Sequence, residues 1–153
     1  MALMEIRHAD AGEREWAAAL MANSDPWIRL GRGLDACRLR CKDPGYQLFI
    51  AHQDDQPCGF ILIHPRGVAG SPYVASIAVA EDFRGQGLGT RMLEFAEDLF
   101  TGKSRYIFLC VSSFNARARA LYERRGYSVV GELIDYVIDG ASEFLMHKRL
   151  RQP

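Results

Sequence analysis

The most informative stretch of the sequence is residues 77–90, which read IAVAEDFRGQGLGT. It joins an apolar run to a short polar turn, and the turn holds three glycines at alternating positions, Gly85, Gly87 and Gly89. From Leu88 onward, apolar residues recur at the spacing of one helical face, which predicts an amphipathic helix. A strand, a glycine-rich turn and a helix are therefore expected in succession.

The glycine-rich turn has the chemistry of an anion site. The first N–H groups of a helix lack partners within the helix and lie at the positive end of its dipole, which suits a phosphate. The phosphate-loop signature is excluded because no Lys follows these glycines, and the dinucleotide fingerprint GxGxxG fails because the third glycine comes one residue too early. A tight strand-to-helix connection without a ligand stays open as the alternative.

A second motif, NARARALYERRGY, follows at residues 115–127. Asn is a good helix N-cap and Gly a good C-terminal stop, so an ordinary capped helix accounts for part of the pattern. Asn115 and Tyr122 are about two helical turns apart, which puts both near one edge of that helix.

Together the two motifs resemble those of the GNAT superfamily of acyl-CoA-dependent N-acyltransferases. Residues 84–89 resemble the family's (Gln/Arg)-x-x-Gly-x-(Gly/Ala) loop, and residues 115–127 resemble its Asn-x-x-Ala-x-x-Leu-Tyr-x-x-x-Gly-(Phe/Tyr) segment. The resemblance covers most of the chain. It implies the GNAT fold, an α/β (α+β) domain in which a central, twisted, mixed β-sheet is flanked by helices on both faces.

Length and composition bound the protein class. At 153 residues the chain suits one compact domain, residues 1–153, and 48% hydrophobic with 25% charged residues is ordinary for a soluble globular protein. Basic and acidic residues number 19 each, so no global field favours nucleic acid or an anionic membrane. The N-terminus lacks the pattern of a signal peptide, and no apolar run approaches ~18 residues. A cytoplasmic protein without a membrane or nucleic-acid partner is expected.

The four cysteines form neither a CxxC pair nor a zinc-ligand spacing. Buried free thiols are therefore expected at Cys37, Cys41, Cys58 and Cys110, and no metal site is expected.

Hydrophobic periodicity and turn residues predict the order β-α-α-β-β-β-α-β-α-β-β. The predicted strands are 4–8, 46–53, 58–64, 73–79, 106–111, 127–130 with an extension at 133–138, and 142–147. The predicted helices are 13–23, 34–41, 88–100 and one that starts at Asn115. Residues 65–72 are predicted as a loop.

The resemblance implies acetyl-CoA, or a related acyl-CoA, as cosubstrate. The pyrophosphate is expected on the backbone N–H groups that open the helix, and the pantetheine arm along the preceding strand edge. The expected cofactor-binding residues are Ile77, Ala78, Val79, Arg84, Gly85, Gln86, Gly87, Leu88, Gly89, Thr90, Asn115 and Tyr122.

Tyr122 matches the family's general acid. Attack of an amine on a thioester expels a thiolate, and a phenol with an ordinary pKa of ~10 can donate a proton to that sulfur. A buried aromatic whose hydroxyl is satisfied elsewhere is the alternative interpretation.

No general base is evident. Histone-type members carry a Glu where this chain has Tyr73, and ribosomal-protein N-terminal acetyltransferases carry one where it has Cys110. Proton transfer through water to an unassigned group is expected, with His64, Glu81, Glu143 and Tyr73 as candidates.

The resemblance places the acceptor wall in the segment between the first two helices and in the last hairpin. Trp27, Tyr73 and Tyr136 are the expected substrate-binding residues, and Arg29 falls in the same segment. A core position for Trp27 and a solvated charge for Arg29 are equally open. An enclosed pocket lined by the three aromatic residues favours a small molecule.

Three functions remain: acetyl transfer to a small-molecule amine, acetyl transfer to a protein lysine or N-terminus, and a non-catalytic acyl-CoA-binding module. The first is the leading hypothesis. Family members often dimerise, which makes a homodimer an open expectation.

Overall fold

The computed structural model describes residues 3–152. Within these residues, seven strands form one sheet, and four α-helices cover its two faces. The strands are β1 Met4–His8, β2 Gln47–Gln53, β3 Gln56–Val68, β4 Ser71–Val79, β5 Tyr106–Ser112, β6 Ser128–Ile134 and β7 Ser142–Arg149. The helices are α1 Ala11–Ala22, α2 Leu34–Lys42, α3 Leu88–Phe100 and α4 Ala116–Arg124, and a single 3₁₀ turn, Glu81–Phe83, precedes α3.

The sheet is mixed, with the order β1-β2-β3-β4-β5-β7-β6. Neighbouring strands run antiparallel except β4 and β5, which are parallel. Parallel neighbours need a crossover connection, and α3 supplies it. The predicted fold class and the predicted order of elements are therefore confirmed.

Two hydrophobic clusters hold the helices against the sheet. On one face, Ala17, Met21, Cys37 and Cys41 of α1 and α2 pack against buried residues of β2 and β3 such as Phe60. On the other face, residues of α3 and α4 pack against β3, β4, β5 and β7; they include Leu88, Met92, Leu93, Ala96 and Tyr122. The central strands are thus buried on both faces, which explains their nearly continuous apolar sequences.

Helix α1 begins two residues before the predicted start. Asp10 accepts a hydrogen bond from the Glu13 backbone N–H at 2.8 Å, and the Glu13 side chain accepts one from the Asp10 backbone N–H at 3.1 Å. This reciprocal capping box recruits Ala11 and Gly12 into the first turn, although the sequence pattern indicated a break there.

The predicted loop at residues 65–72 is wrong, because β3 and β4 continue into a hairpin. Val68 pairs with Ser71, and the turn between them places Ala69 and Gly70 at φ of 49° and 83°. Gly67 makes the close packing possible, since a Cβ there would lie 2.7 Å from the Cβ of Tyr73. The prolines and glycines that suggested a loop instead mark an irregular stretch of the ladder between His64 and Val68.

The predicted strand extension at 133–138 is also wrong beyond Ile134. Asp135 has a positive φ of 51°, and its carboxylate accepts a hydrogen bond from the Gly140 N–H at 2.8 Å. This side-chain contact turns the chain before β7, so Tyr136 lies in the connecting segment rather than in a strand.

Candidate active site

The central feature of the site is the separation of β4 from β5. These strands pair only through Tyr73 with Phe108 and Val74 with Leu109, whereas β4 stays paired with β3 as far as Val79. A register shift in the β3–β4 ladder near Ser76 accompanies the divergence. The β5-facing edge of residues 75–79 therefore has no neighbouring strand, and a gap opens in the sheet.

The glycine-rich turn lies at the end of this gap. Gly85 and Gly87 have φ of 77° and 79°, and a Cβ at either position would meet no other atom within 4 Å. Gly87 caps α3 without any side-chain hydrogen bond, whereas Asp10 caps α1 and Asn115 caps α4 through their side chains. The first N–H groups of α3 therefore remain available to an anion beside an open, side-chain-free surface.

We call the groove over this turn the donor groove, which has a volume of about 790 Å³. It is lined by residues of β4, the turn and the start of α3, by α4, and by the segment after α1. The expected cofactor residues that line it are Ile77, Ala78, Val79, Arg84, Gly85, Gly87, Leu88, Gly89, Thr90, Asn115 and Tyr122.

One expected residue lies apart from this groove, and three arginines line it. The exposed Gln86 does not line the groove. Arg84 does, and its Nε donates to the Val79 carbonyl at 3.1 Å, which fastens the turn to the end of β4. Arg117 and Arg124 of α4 also line the groove, a role the sequence analysis missed. Their separation by seven residues, about two helical turns, was the available signal.

Helix α4 fixes Tyr122 beside the gap. The Asn115 side chain accepts a hydrogen bond from the Ala118 N–H at 3.2 Å at one end of the helix, and the Tyr127 N–H donates to the Tyr122 carbonyl at 3.0 Å at the other. The Tyr122 side chain is buried, with 7% of the residue exposed, and burial raises the pKa of its hydroxyl to about 12. The phenol is therefore held in its protonated form at neutral pH.

A second cavity, the acceptor cavity, has a volume of about 380 Å³. Trp27, Tyr73 and Tyr136 all line it, although they come from three separate parts of the sequence. Arg29 does not line it; its guanidinium lies over the Phe114 ring, 4.3 Å from the ring centroid.

The two cavities share a boundary. Asp25, Ile77, Asn115, Ala118 and Tyr122 line both of them. A molecule in the donor groove and another in the acceptor cavity would therefore meet at the gap between β4 and β5, next to Tyr122.

The sequence candidates for a general base divide into two groups. Tyr73 and Glu143 line the acceptor cavity, while His64 and Glu81 line neither cavity. The His64 ring instead packs edge-to-face against the Tyr46 ring, with the ring centroids 5.1 Å apart. Its Nδ1 accepts a hydrogen bond from the Arg66 N–H.

Tyr73 and Cys110, which stand where related enzymes carry a Glu, are neighbours in the acceptor cavity. Burial raises the pKa of the Tyr73 hydroxyl, and the Cys110 thiol and the charge of Glu143 raise it further. Burial also raises the pKa of the Cys110 thiol. Both groups therefore stay protonated at neutral pH, which leaves Asp25 and Glu143 as the remaining acidic side chains of the cavity.

The cysteines are free thiols, buried at Cys37, Cys41 and Cys58 and half-buried at Cys110. Within residues 3–152, no group of three or more His, Cys, Asp or Glu side chains is arranged to hold a metal ion. No helix in the same part of the chain has the length and apolar character needed to cross a membrane.

The chain is similar to known acetyltransferases. The model of the acetyltransferase (GNAT) family matches residues 6–127. An N-alpha-acetyltransferase of Saccharolobus solfataricus is 31% identical over 125 residues, which cover 71% of this chain and 72% of that protein. With three other curated relatives the match spans 67%, 59% and 65% of the relative's own length.

Solved structures share the fold. The ribosomal-protein-S18-alanine N-acetyltransferase from Escherichia coli superposes with a TM-score of 0.79 at 21% identity, covering 99% of this chain and 96% of the other. The spermidine N-acetyltransferase from Vibrio cholerae, in complex with CoA and spermine, superposes with a TM-score of 0.71 at 16% identity, covering 95% of each chain.

Proposed function

The chain belongs to the GNAT acetyltransferase family, and on that premise we propose that it transfers the acetyl group of acetyl-CoA to the primary amine of a small molecule. One observation carries the proposal: the donor groove and the acceptor cavity meet at Tyr122 and Ile77. A transferase needs two binding sites that share a reacting point, whereas a module that only binds acyl-CoA needs no acceptor cavity.

The donor would bind along the open edge of β4 and over the turn. The uncapped N–H groups at the start of α3 suit its pyrophosphate, because they combine free donors with the positive end of the helix dipole. Arg117 and Arg124 of α4, which also line the groove, add positive charge. The N–H groups on the β5-facing edge of residues 77–79, where β4 has no partner strand, suit the amide-rich arm and can polarise the thioester oxygen.

In the proposed reaction, the acceptor first loses one proton from its ammonium group to solvent. The nitrogen lone pair then forms a bond to the acetyl carbon, the carbon–sulfur bond breaks, and Tyr122 donates its proton to the departing sulfur. The second proton lost by the nitrogen returns the Tyr122 phenolate to its neutral form through water. The sum is one amide, one free thiol and one released proton.

The size of the acceptor cavity supports a small molecule. At about 380 Å³ it lies near the lower end of the range for ligand pockets, and aromatic side chains wall it. Acetylation of a protein N-terminus is the second candidate, favoured by the relative from Saccharolobus solfataricus that is named for that activity. Tyr73 and Cys110, in place of the Glu of protein-acetylating members, weigh against it.

Titration calorimetry with acetyl-CoA, followed by a thiol-release assay with a panel of amines, tests the proposal. The Gly87→Asp variant places a carboxylate where the pyrophosphate is expected and should lose acetyl-CoA binding. Gly70→Asp is the matched control, because Gly70 has a similar φ of 83°, faces open space and lines neither cavity.

Binding lost in Gly87→Asp and kept in Gly70→Asp, together with amine-dependent thiol release, would support the proposal. Absence of acetyl-CoA binding by the unaltered protein would overturn it. Binding without thiol release for any amine or peptide would instead support the non-catalytic module.

A further inference from the structure

Charged side chains of both signs line the acceptor cavity. Arg32 and Arg40 come from the segment before α2 and from α2 itself, whereas Asp25 follows α1 and Glu143 begins β7. Among residues 3–152, none of these four side chains forms an ion pair within 4.0 Å. The cavity wall therefore offers two cations and two anions that no protein partner neutralises.

The side chain of Arg40 makes different contacts from those of the other basic residues on α2. Arg38 and Lys42 each form an ion pair with Glu15 at 3.0 Å, on the side of the helix away from the cavity. The Arg40 guanidinium instead lies over the Tyr46 ring, 5.2 Å from its centroid, and both residues line the cavity. An aromatic face holds a guanidinium by its plane and leaves the N–H edges free to bind a carboxylate.

The two carboxylates of the cavity differ in their relation to the donor groove. Glu143 pairs in register with Ser112 at the end of β5, and the chain then leads within three residues to Asn115, which lines both cavities. Asp25 also lines both cavities. Arg32, Arg40 and Glu143 line only the acceptor cavity.

Tyr73 lies within the electrostatic reach of both kinds of charge. Its hydroxyl senses the Arg40 charge, which lowers its pKa, and the Glu143 charge, which raises it. Both charges therefore act on the Tyr73 hydroxyl, and Arg40 and Glu143 belong to a single small site.

We propose that the acceptor is an amine that carries its own carboxylate, an α-amino acid or an equally small zwitterion. Arg40 and Arg32 bind the carboxylate, and Glu143 binds the ammonium group. This inference rests on the proposed acetyl transfer and adds the substrate class. A polyamine lacks the negative group that two free arginines require, and the N-terminal residue of a protein carries a neutral peptide carbonyl where a free amino acid has its α-carboxylate.

Matched acceptors test the inference. Phenylalanine, methionine and lysine are each compared with the corresponding amide and the corresponding decarboxylated amine, with acetyl-CoA at saturation and kcat/KM as the readout. At least one amino acid should exceed its amide by about tenfold or more, the effect of one charge-assisted hydrogen bond.

Variants assign the effect to the wall residues. Arg40→Gln should raise KM for the amino acid much more than KM for its amide, and so remove the preference for the amino acid. Arg38→Gln, on the same helix but outside the cavity, should keep the preference. Glu143→Gln should lower kcat/KM for every amine, and all three variants should bind acetyl-CoA like the unaltered protein, which also shows that they fold.

Equal rates for amino acid, amide and amine, with no effect of Arg40→Gln, would overturn the inference while leaving acetyl transfer intact. Faster acetylation of peptide N-termini than of any amino acid would overturn it in favour of a protein substrate. Loss of acetyl-CoA binding in the unaltered protein would contradict the acetyl transfer itself and would be recognised separately by calorimetry.

Discussion

The hydroxyl of Tyr127 donates a hydrogen bond of 3.0 Å to the carboxylate of Glu97, a residue 30 positions earlier in the chain. The other oxygen of Glu97 accepts one from Lys148 at 2.7 Å. Burial and the Glu97 charge raise the pKa of the Tyr127 hydroxyl, so the contact joins a neutral phenol to an ionised carboxylate. Because Tyr127 also donates its N–H to the Tyr122 carbonyl, α3, α4 and β7 are joined directly behind the proposed general acid.

Replacement of Glu97 should therefore destabilise the protein. Glu97→Ala leaves the buried hydroxyl of Tyr127 and the charge of Lys148 without their partner, and we expect the free energy of unfolding to fall by about 3 kcal/mol. Urea denaturation monitored by circular dichroism measures this free energy.

The matched control is Glu94→Ala, one turn earlier on α3. Glu94 is exposed and pairs with Arg125 at 3.1 Å, so its loss should cost less than about 1 kcal/mol. Equal losses for the two variants would contradict the role given to Glu97.

Tyr122→Phe should lower kcat and leave acetyl-CoA affinity nearly unchanged. The change removes one oxygen from a buried ring, so the donor groove keeps its shape while the departing thiolate loses its proton donor. A fall of about 10²-fold or more is expected for loss of a general acid. Steady-state kinetics and calorimetry give the two quantities.

Tyr106→Phe makes the same chemical change at a tyrosine that lines neither cavity and stacks on His147. It should keep full activity. If Tyr122→Phe turns over at the same rate as Tyr106→Phe, Tyr122 has no part in the proton transfer.

The pH dependence of the rate should reflect the burial of Tyr122. Burial disfavours the charged phenolate and raises its pKa to about 12, above the ordinary value of ~10. Since the protonated form is the proposed acid, the active form persists as the pH rises through 10 and is lost only near 12. The rate at saturating acceptor should show no alkaline fall up to pH 10.5.

Initial rates between pH 7 and 10.5, corrected for spontaneous thioester hydrolysis, make this measurement, and circular dichroism at each pH checks that the protein stays folded. A fall in kcat with an apparent pKa near 9 or 10 in folded protein would show that a different group, or an unperturbed phenol, supplies the proton.

Gly59→Ala should destabilise the sheet beside the donor groove. An added Cβ would lie 2.8 Å from the Ala78 carbonyl oxygen and 3.0 Å from the Met92 side chain. The backbone of β4 cannot move away without disturbing its hydrogen bonds with β3. We therefore expect the free energy of unfolding to fall by about 1–3 kcal/mol, and acetyl-CoA to bind more weakly.

Gly131→Ala is the corresponding control, because Gly131 lies in β6 and an added Cβ there meets nothing within 4 Å. Thermal unfolding of the two variants gives the comparison. A Gly59→Ala protein as stable as Gly131→Ala would mean that β4 accommodates the methyl group.

Helices and caps followed from the sequence wherever neighbouring residues carry the signal. The start of α3 at the glycine-rich turn and the start of α4 after Asn115 were predicted correctly, because apolar spacing and capping are properties of consecutive residues. The loop predicted at 65–72 was wrong for the converse reason. Gly67 in this segment allows a close contact with Tyr73, which no local sequence pattern reveals.

The residues that line the acceptor cavity were predicted only in part, and their role in binding an acceptor stays a prediction. Trp27, Tyr73 and Tyr136 were named and do share one cavity, but Arg40 and Tyr46 were not considered. An arginine on a helix looks the same in sequence whether it pairs with a nearby carboxylate, as Arg38 does, or lines a cavity, as Arg40 does.

Sequence patterns were sufficient to predict the family, the order of the elements and the glycine-rich turn. Each of these depends on short motifs whose residues interact with their neighbours in the chain. Only the tertiary structure decided which residues face one another across the gap between β4 and β5. Arg40, Tyr73, Cys110 and Glu143 come from four elements far apart in the chain. They meet because β5 crosses over to lie parallel to β4, pairs with it at only two positions and then diverges, and burial of both faces of the sheet fixes that arrangement.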